Sequence, residues 1–366
     1  MNFNSINTIY YQYIKGIKVD KPFIVIESDD WGSIRISNKK VHDLLIRQNV
    51  DVHSNPFNVN DTLESTEDLF LLDKTLQDIF NDTGKKVVFT INTVLANPDF
   101  EKIEQDKFRN YYFEEFTETY NKYGFIENWE KIRNMILAGY FYPQFHAREH
   151  VNVLKWLKML QIGHKDFRIA FENGVFSLDY AENSGRKKNL MAAYWYSNDE
   201  EENFINKSIE EGLTLFKNKF GISSVSTIAP VGIWDTNQEK IFNKSGVKYF
   251  QSFLLQKIPR GMHLDRTYKF FGQKNGCITY FPRNVYFEPS TNNRVDWVTK
   301  AFSQVERAIY FKKPAIISSH RMNFVGGMDA RLRDENVRKF DGLIRRIIKK
   351  WPDIKFVSSD KINDLI

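Results

Sequence analysis

Cys277 is the only cysteine in the 366 residues of the chain. That excludes an internal disulfide framework and any metal site built from several thiolates. No stretch approaches the ~18 consecutive apolar residues that a membrane helix needs, so no membrane span is expected. Residues 1–21 lack both a continuous apolar segment and a small-residue cleavage site. Neither a signal peptide nor an anchor is expected there, and the expected location is the cytoplasm. Internal repeats and low-complexity linkers are missing too. The basic excess is small, with 52 Lys and Arg against 46 Asp and Glu, a formal net charge of +6. It is scattered in short pieces such as Lys39-Lys40, Lys85-Lys86 and Lys349-Lys350. A nucleic-acid binder gathers its excess into a stripe, so no nucleic-acid partner is expected.

What is present is a globular composition, 42% hydrophobic and 27% charged, consistent with a single domain spanning 1–366. Ile6, Ile9, Tyr10, Tyr13, Ile14 and Ile17 recur at helical spacing and predict an amphipathic helix over about 5–18. Short apolar runs of buried-strand type follow at Phe23–Ile26, Val87–Ile91, Ser224–Ile228, Tyr249–Phe250, Cys277–Tyr280, Ala315–Ser318 and Lys355–Val357. Tyr140–His146 reads as a further strand, although Pro143 is a poor residue for a central one. Amphipathic segments near 129–138, 199–220, 298–309 and 340–348 lie between these runs. The alternation indicates an α/β protein with a largely parallel sheet. Seven or eight alternations without a glycine-rich dinucleotide fingerprint favour a β/α barrel over a doubly wound sheet.

Chemistry-bearing residues collect where these strands end. Asp29 and Asp30 end the first strand, His146 the Tyr140 segment, Pro230 follows another and His320 ends Ala315–Ser319. In a β/α barrel the C-terminal strand ends form the active-site face. His146 and His150 stand four apart, which on a helical turn puts both imidazoles on one side. Two adjacent carboxylates at a strand end repel each other unless a cation, a proton or a basic group compensates. One Asp with two His has the count and ligand types of an open catalytic zinc-type site. Read blandly, the same residues are a turn-forming Asp pair and half-buried histidines. Trp31, Trp234 and Trp297 are either a sugar-stacking floor or core.

In order along the chain, Ser28-Asp29-Asp30, His146-Ala147-Arg148-Glu149-His150, Ile228-Ala229-Pro230-Val231-Gly232, Asn293-Arg294-Val295-Asp296-Trp297 and Ser318-Ser319-His320 resemble the motifs of the polysaccharide deacetylases. These are metal-dependent carbohydrate esterases that remove N- or O-acetyl groups from glycans. The resemblance covers residue 23 to the C-terminus. It implies a distorted, TIM-like β/α barrel, often seven-stranded. It implies one divalent ion, zinc first and otherwise cobalt, manganese or nickel, on Asp30, His146 and His150. It further implies Asp29 as general base, His320 as general acid oriented by Asp296, Trp297 shaping the pocket and the Val231 N–H at the oxyanion, while Trp31, Trp234 and the turn residue Pro230 are the further candidates for binding the substrate. The implied substrate is an acetylated carbohydrate.

Four positions depart from the pattern. The Arg that steadies the base is Ile228, the first Asp of the fourth motif is Asn293, Trp31 displaces the glycine after the Asp pair to Gly32, and the last motif has Ser318 for Leu. Arg35, Arg148, Arg283 and Arg321 are the candidates to replace the missing Arg. Two other readings follow from the residues. One is a carbohydrate-binding barrel without catalysis. The other is a glycosidase pairing Glu27 or Asp29 with a carboxylate such as Glu288, which leaves His146 and His150 unexplained.

Overall fold

The computed structural model describes residues 7–181, 187–261 and 263–366. Residues 5 and 6 of the expected N-terminal helix lie outside them. What is described of that helix ends in a π-helical turn, Tyr10–Ile14, with Tyr13 buried and Tyr10 and Ile14 exposed. It stops short of Ile17 because Gly16 turns the chain at φ +87°, where a Cβ would meet the Phe271 carbonyl oxygen at 2.2 Å. Only glycine fits there.

The strands that matter here are β1 (Phe23–Trp31), β2 (Phe89–Val94), β3 (Phe141–Ala147), β4 (Ser226–Thr227), β5 (Tyr249–Ser252), β6 (Leu255–Arg260), β7 (His263–Tyr268), β8 (Gln273–Asn275), β9 (Ile278–Pro282), β10 (Val285–Tyr286), β11 (Ala315–His320) and β12 (Lys355–Val357). All except the hairpin β6–β7 join one ten-stranded sheet in the order β8-β9-β5-β4-β3-β2-β1-β11-β10, with β12 also on β1. Every pairing in it is parallel apart from β8 with β9. The sheet curls on itself. Arg283 and Asn284 link β9 to β10, the Arg283 N–H donating to Ser252 on β5 and the Asn284 N–H to Ile316 on β11. This is the expected mixed α/β class, its parallel sheet curled into a half-barrel.

β1 is buried along all nine residues, as a strand covered on both faces must be. Helices Thr66–Thr83, Asn128–Leu137, Asp199–Phe220, Trp297–Tyr310 and Ala330–Lys350 pack around the sheet and one another. Their buried faces, for example Phe340, Leu343, Ile344 and Ile347, join one apolar cluster with Ile24, Ile26, Phe89 and Ile317. Among the described residues no helix is long and apolar enough to cross a membrane.

Two strand expectations differ in an instructive way. β4 has two residues instead of the run Ser224–Ile228, because Gln144 Oε1 accepts the Val225 and Ser226 N–H groups in place of a ladder. β3 meanwhile tolerates Pro143, since at that level its neighbour is held by the Gln144 side chain and β4 pairs β3 only at Phe145–Thr227. Cys277 lies exposed just before β9.

Candidate functional site

Successive residues of a regular strand face opposite ways. Asp29 and Asp30 nevertheless line the same cavity. The reason is an irregularity in β1, whose register with β2 shifts between Ser28 and Trp31. There Asp30 takes φ +75°, a left-handed conformation unusual outside glycine. A bulge of this kind re-aims a side chain at the price of local strain.

Asp30 is buried, and its two oxygens differ. Oδ2 accepts from the Arg35 guanidinium at 2.9 Å. Oδ1 accepts no hydrogen bond and lies 3.4 Å from Nε2 of both His146 and His150. His146 Nδ1 is 2.8 Å from the Ile228 carbonyl oxygen. An oxygen there requires Nδ1 to carry the proton, which leaves the Nε2 lone pair facing Asp30 in the neutral ring. Burial pushes His150 down to about 3, so it is neutral despite the Asp30 charge. The ligand atoms of Asp30, His146 and His150 all lie within 4.8 Å of one another, and all three residues are buried. A carboxylate oxygen without a donor beside two imidazole nitrogens is an acceptor set that a divalent cation satisfies. Its N,N,O composition suits zinc and the neighbouring transition metals.

Asp29 is bonded quite differently. Arg283 grips it with both ends of its fork, Nη1 to Oδ2 and Nη2 to Oδ1, each at 2.7 Å. Asn92 Nδ2 adds a third bond to Oδ1 at 2.7 Å. Burial alone raises a carboxyl, but the Arg283 charge and hydrogen bonds outweigh it and hold Asp29 near 2. Arg283 is itself fully buried and also bonds Glu27 at 2.6 Å. It is therefore the guanidinium on Asp29, whereas Arg35 spans Asp30 and Asp61, Arg321 spans Asp61 and Glu64, and Arg148 holds Glu149 and Glu211.

His320 pairs in register with Asp29 at the end of β11. Its Nε2 lies 3.6 Å from Asp29 Oδ2 and its Nδ1 2.6 Å from Glu288 Oε1. Burial disfavours the imidazolium, but Glu288 and then Asp29 favour it more, raising His320 to about 9. Asn323 steadies the other Glu288 oxygen at 2.8 Å. The Phe57 ring meets the imidazole edge to face at 4.9 Å.

The structure brings Asp29, Asp30, His146, His150, Val231 and His320 to one cavity of about 480 Å³. It does not bring Asp296 there. Asp296 is exposed and caps the helix Trp297–Tyr310 through the Thr299 N–H, a position that favours Asp for that reason alone. The carboxylate on His320 is Glu288, which enters from the segment after β10. The three tryptophans belong to packing. Trp31 donates to Ser28 and abuts Phe141, Trp234 donates to Glu239 and stacks on Phe250, and Trp297 donates to the Asn292 carbonyl. None of them lines the cavity, whose aromatic walls are Phe57 and Phe253. Pro230 is buried behind Val231, which reaches the cavity with φ +57°.

No family model matches the chain, and no curated protein matches it. Among solved structures, 4-alpha-glucanotransferase from Thermococcus litoralis is similar over 94% of this chain at 12% identity and TM-score 0.41, but the chain spans only 38% of its length. A protein described as a polysaccharide deacetylase from Mycobacterium smegmatis is similar over 96% of this chain and 94% of its own, at 10% identity and TM-score 0.41. PuuE allantoinase is similar over 93% of this chain and 88% of its own, at 11% identity and TM-score 0.43.

Proposed function

We propose that the chain is a metal-dependent hydrolase that removes an acetyl group, N- or O-linked, from a sugar. The observation carrying this reading is the contrast at the end of β1. The orphaned Asp30 oxygen faces two histidine nitrogens at 3.4 Å, and a clamped Asp29 and a paired His320 lie beside it. Asp30, His146 and His150 would hold the ion. Bound there, it supplies Lewis acidity, stabilising charge on a carbonyl oxygen and lowering the pKa of water towards ~7.

The remaining chemistry belongs to the protein. Asp29, kept ionised and oriented by Arg283, takes the proton of the attacking water on Oδ2. His320, kept protonated by Glu288, gives its Nε2 proton to the leaving nitrogen or oxygen as that bond to the acetyl carbon breaks. Acetate and a free amine or hydroxyl result. The 3.6 Å between Asp29 Oδ2 and His320 Nε2 gives the proton a return path. The Val231 N–H is the proposed oxyanion donor, a role worth roughly 10²–10³ in rate where it has been removed from other enzymes. Phe57 and Phe253 offer apolar faces for a sugar ring.

Acetate release from acetylated mono- and oligosaccharides by the metal-loaded protein tests the reading. Asp29→Asn is expected to keep the metal and lose ~10²-fold or more of the rate. A fully active Asp29→Asn protein removes Asp29 from the base role.

A further inference from the structure

Most charges on the cavity wall have a partner of opposite sign. Asp29 has Arg283, Asp30 has Arg35 and His320 has Glu288. Two cations are different. Lys257 on β6 and Arg266 on β7 both line the cavity and stand directly opposite each other in the hairpin register. Like charges in directly opposed strand positions repel. No carboxylate among the described residues forms an ion pair with either one. Asp265, next to Arg266, is engaged with Arg260 and His263 instead. Burial and then the Arg266 charge push the Lys257 ammonium below the usual lysine range, with nothing negative offsetting them.

Lys257 is also tied to the site. Its Nζ donates to the Val231 carbonyl at 3.2 Å and its own carbonyl accepts the Trp234 N–H. The hairpin is thereby fastened to the turn that brings Val231 to the cavity. An ammonium has three donors, so Lys257 keeps two for a ligand. Arg266 is exposed at the same wall, and among the described residues its guanidinium has no ion-pair partner. A half-buried ammonium set against a guanidinium is a cost to the empty hairpin. An oxyanion between them removes that cost, since charge-assisted bonds to carboxylate or phosphate are the strong ones.

We propose that Lys257 and Arg266 form a subsite for an oxyanion carried by the substrate, a phosphate ester or a carboxylate on the acetylated sugar. The proposal rests on the deacetylase reading for the identity of the sugar, but not for the anion. The cavity volume, about 480 Å³, lies within the range of small-molecule sites and accommodates a charged monosaccharide.

The test uses the full chain and three probes: N-acetylglucosamine, its 6-phosphate, and N-acetylmuramic acid as the carboxylate. Calorimetry on chelated protein should show at least one charged probe binding about tenfold or more tighter than the neutral sugar. Whichever anion binds tighter identifies the group. Arg266→Gln, at an exposed position, and Lys257→Met should each lower that preference about fivefold or more. Lys257→Arg should restore part of it, and Arg260→Met, on the opposite face of the hairpin, should not lower it. Equal binding of all three probes by the wild type, or a preference that survives both Lys257→Met and Arg266→Gln, overturns the subsite. Charge-dependent binding together with no acetate release from any probe by the metal-loaded protein leaves the subsite standing and removes the deacetylase reading. Equal acetate release from charged and neutral probes, with equal binding, does the reverse.

Discussion

Asp29 and Asp30 are neighbours in the chain and opposites in the fold. Both are buried carboxylates at the end of β1. Asp29 takes two donors on Oδ1, from Arg283 and Asn92, and one on Oδ2, from Arg283, a network that extends to Glu27 and leaves Oδ2 one acceptor site. Asp30 has one oxygen filled by Arg35 and the other turned, undonated, to two histidines. A clamped carboxylate is held in position, whereas a buried oxygen without a donor beside two imidazole nitrogens is a set that could hold a cation. The bulge that gives Asp30 its φ of +75° is what turns both side chains of one dipeptide to the same cavity.

Breaking the clamped side is expected to have the largest effect on stability. Arg283→Met leaves Glu27 and Asp29 buried without their cation, a loss of about 3–5 kcal/mol when one partner of a buried ion pair is removed. Urea unfolding of the chelated variant measures it. A loss below ~1 kcal/mol would contradict the view that Arg283 is the keystone of this network.

Glu288→Gln probes the link between the two sides with a smaller effect. His320 is raised to about 9 in the folded protein, above an ordinary value near 6.5. Its charge therefore stabilises the fold fully below ~6.5, and that contribution is lost as pH rises through about 9. Removing the Glu288 charge lowers the folded value. Stability measured from pH 6 to 10 should fall more steeply in the wild type than in Glu288→Gln. The alkaline limb of acetate release should move to lower pH in the variant. Coincident profiles would detach Glu288 from His320.

Asp296→Ala sharpens the same point with the smallest effect. It removes a helix cap, so a slight drop in melting temperature is expected with the alkaline limb unmoved. A limb that shifts as in Glu288→Gln would return Asp296 to the orienting role that the motif resemblance implies.

What the amino-acid order reveals about this site follows chain distance. Asp29, Asp30, His146 and His320 are legible because each ends a short apolar run, and strand ends share one rim. Arg283 and Glu288 are harder to read. Arg283 meets Asp29 across 254 residues, and only the curl of the sheet brings it against β1. A guanidinium just past the apolar run Cys277–Tyr280 was the one local hint. Asp296 misleads because an Asp before an amphipathic helix satisfies a cap as readily as a catalytic pattern. The fold shows the same division. Lys355–Val357 and the helix Asp199–Phe220 match their apolar and acidic signals closely. The hairpin β6–β7, with Lys257, Pro259 and Arg266 in it, carries no clean alternation and becomes legible only through its docking on Val231 and Trp234.

The contrast between the two carboxylates is tested most directly by metal content. Protein stripped with a chelator and reconstituted with zinc, cobalt, manganese or nickel is dialysed and assayed by elemental analysis. About one equivalent per chain is expected in the wild type and none in the Asp30→Asn/His146→Ala double variant. A folded wild type that stays empty under every ion would contradict the account.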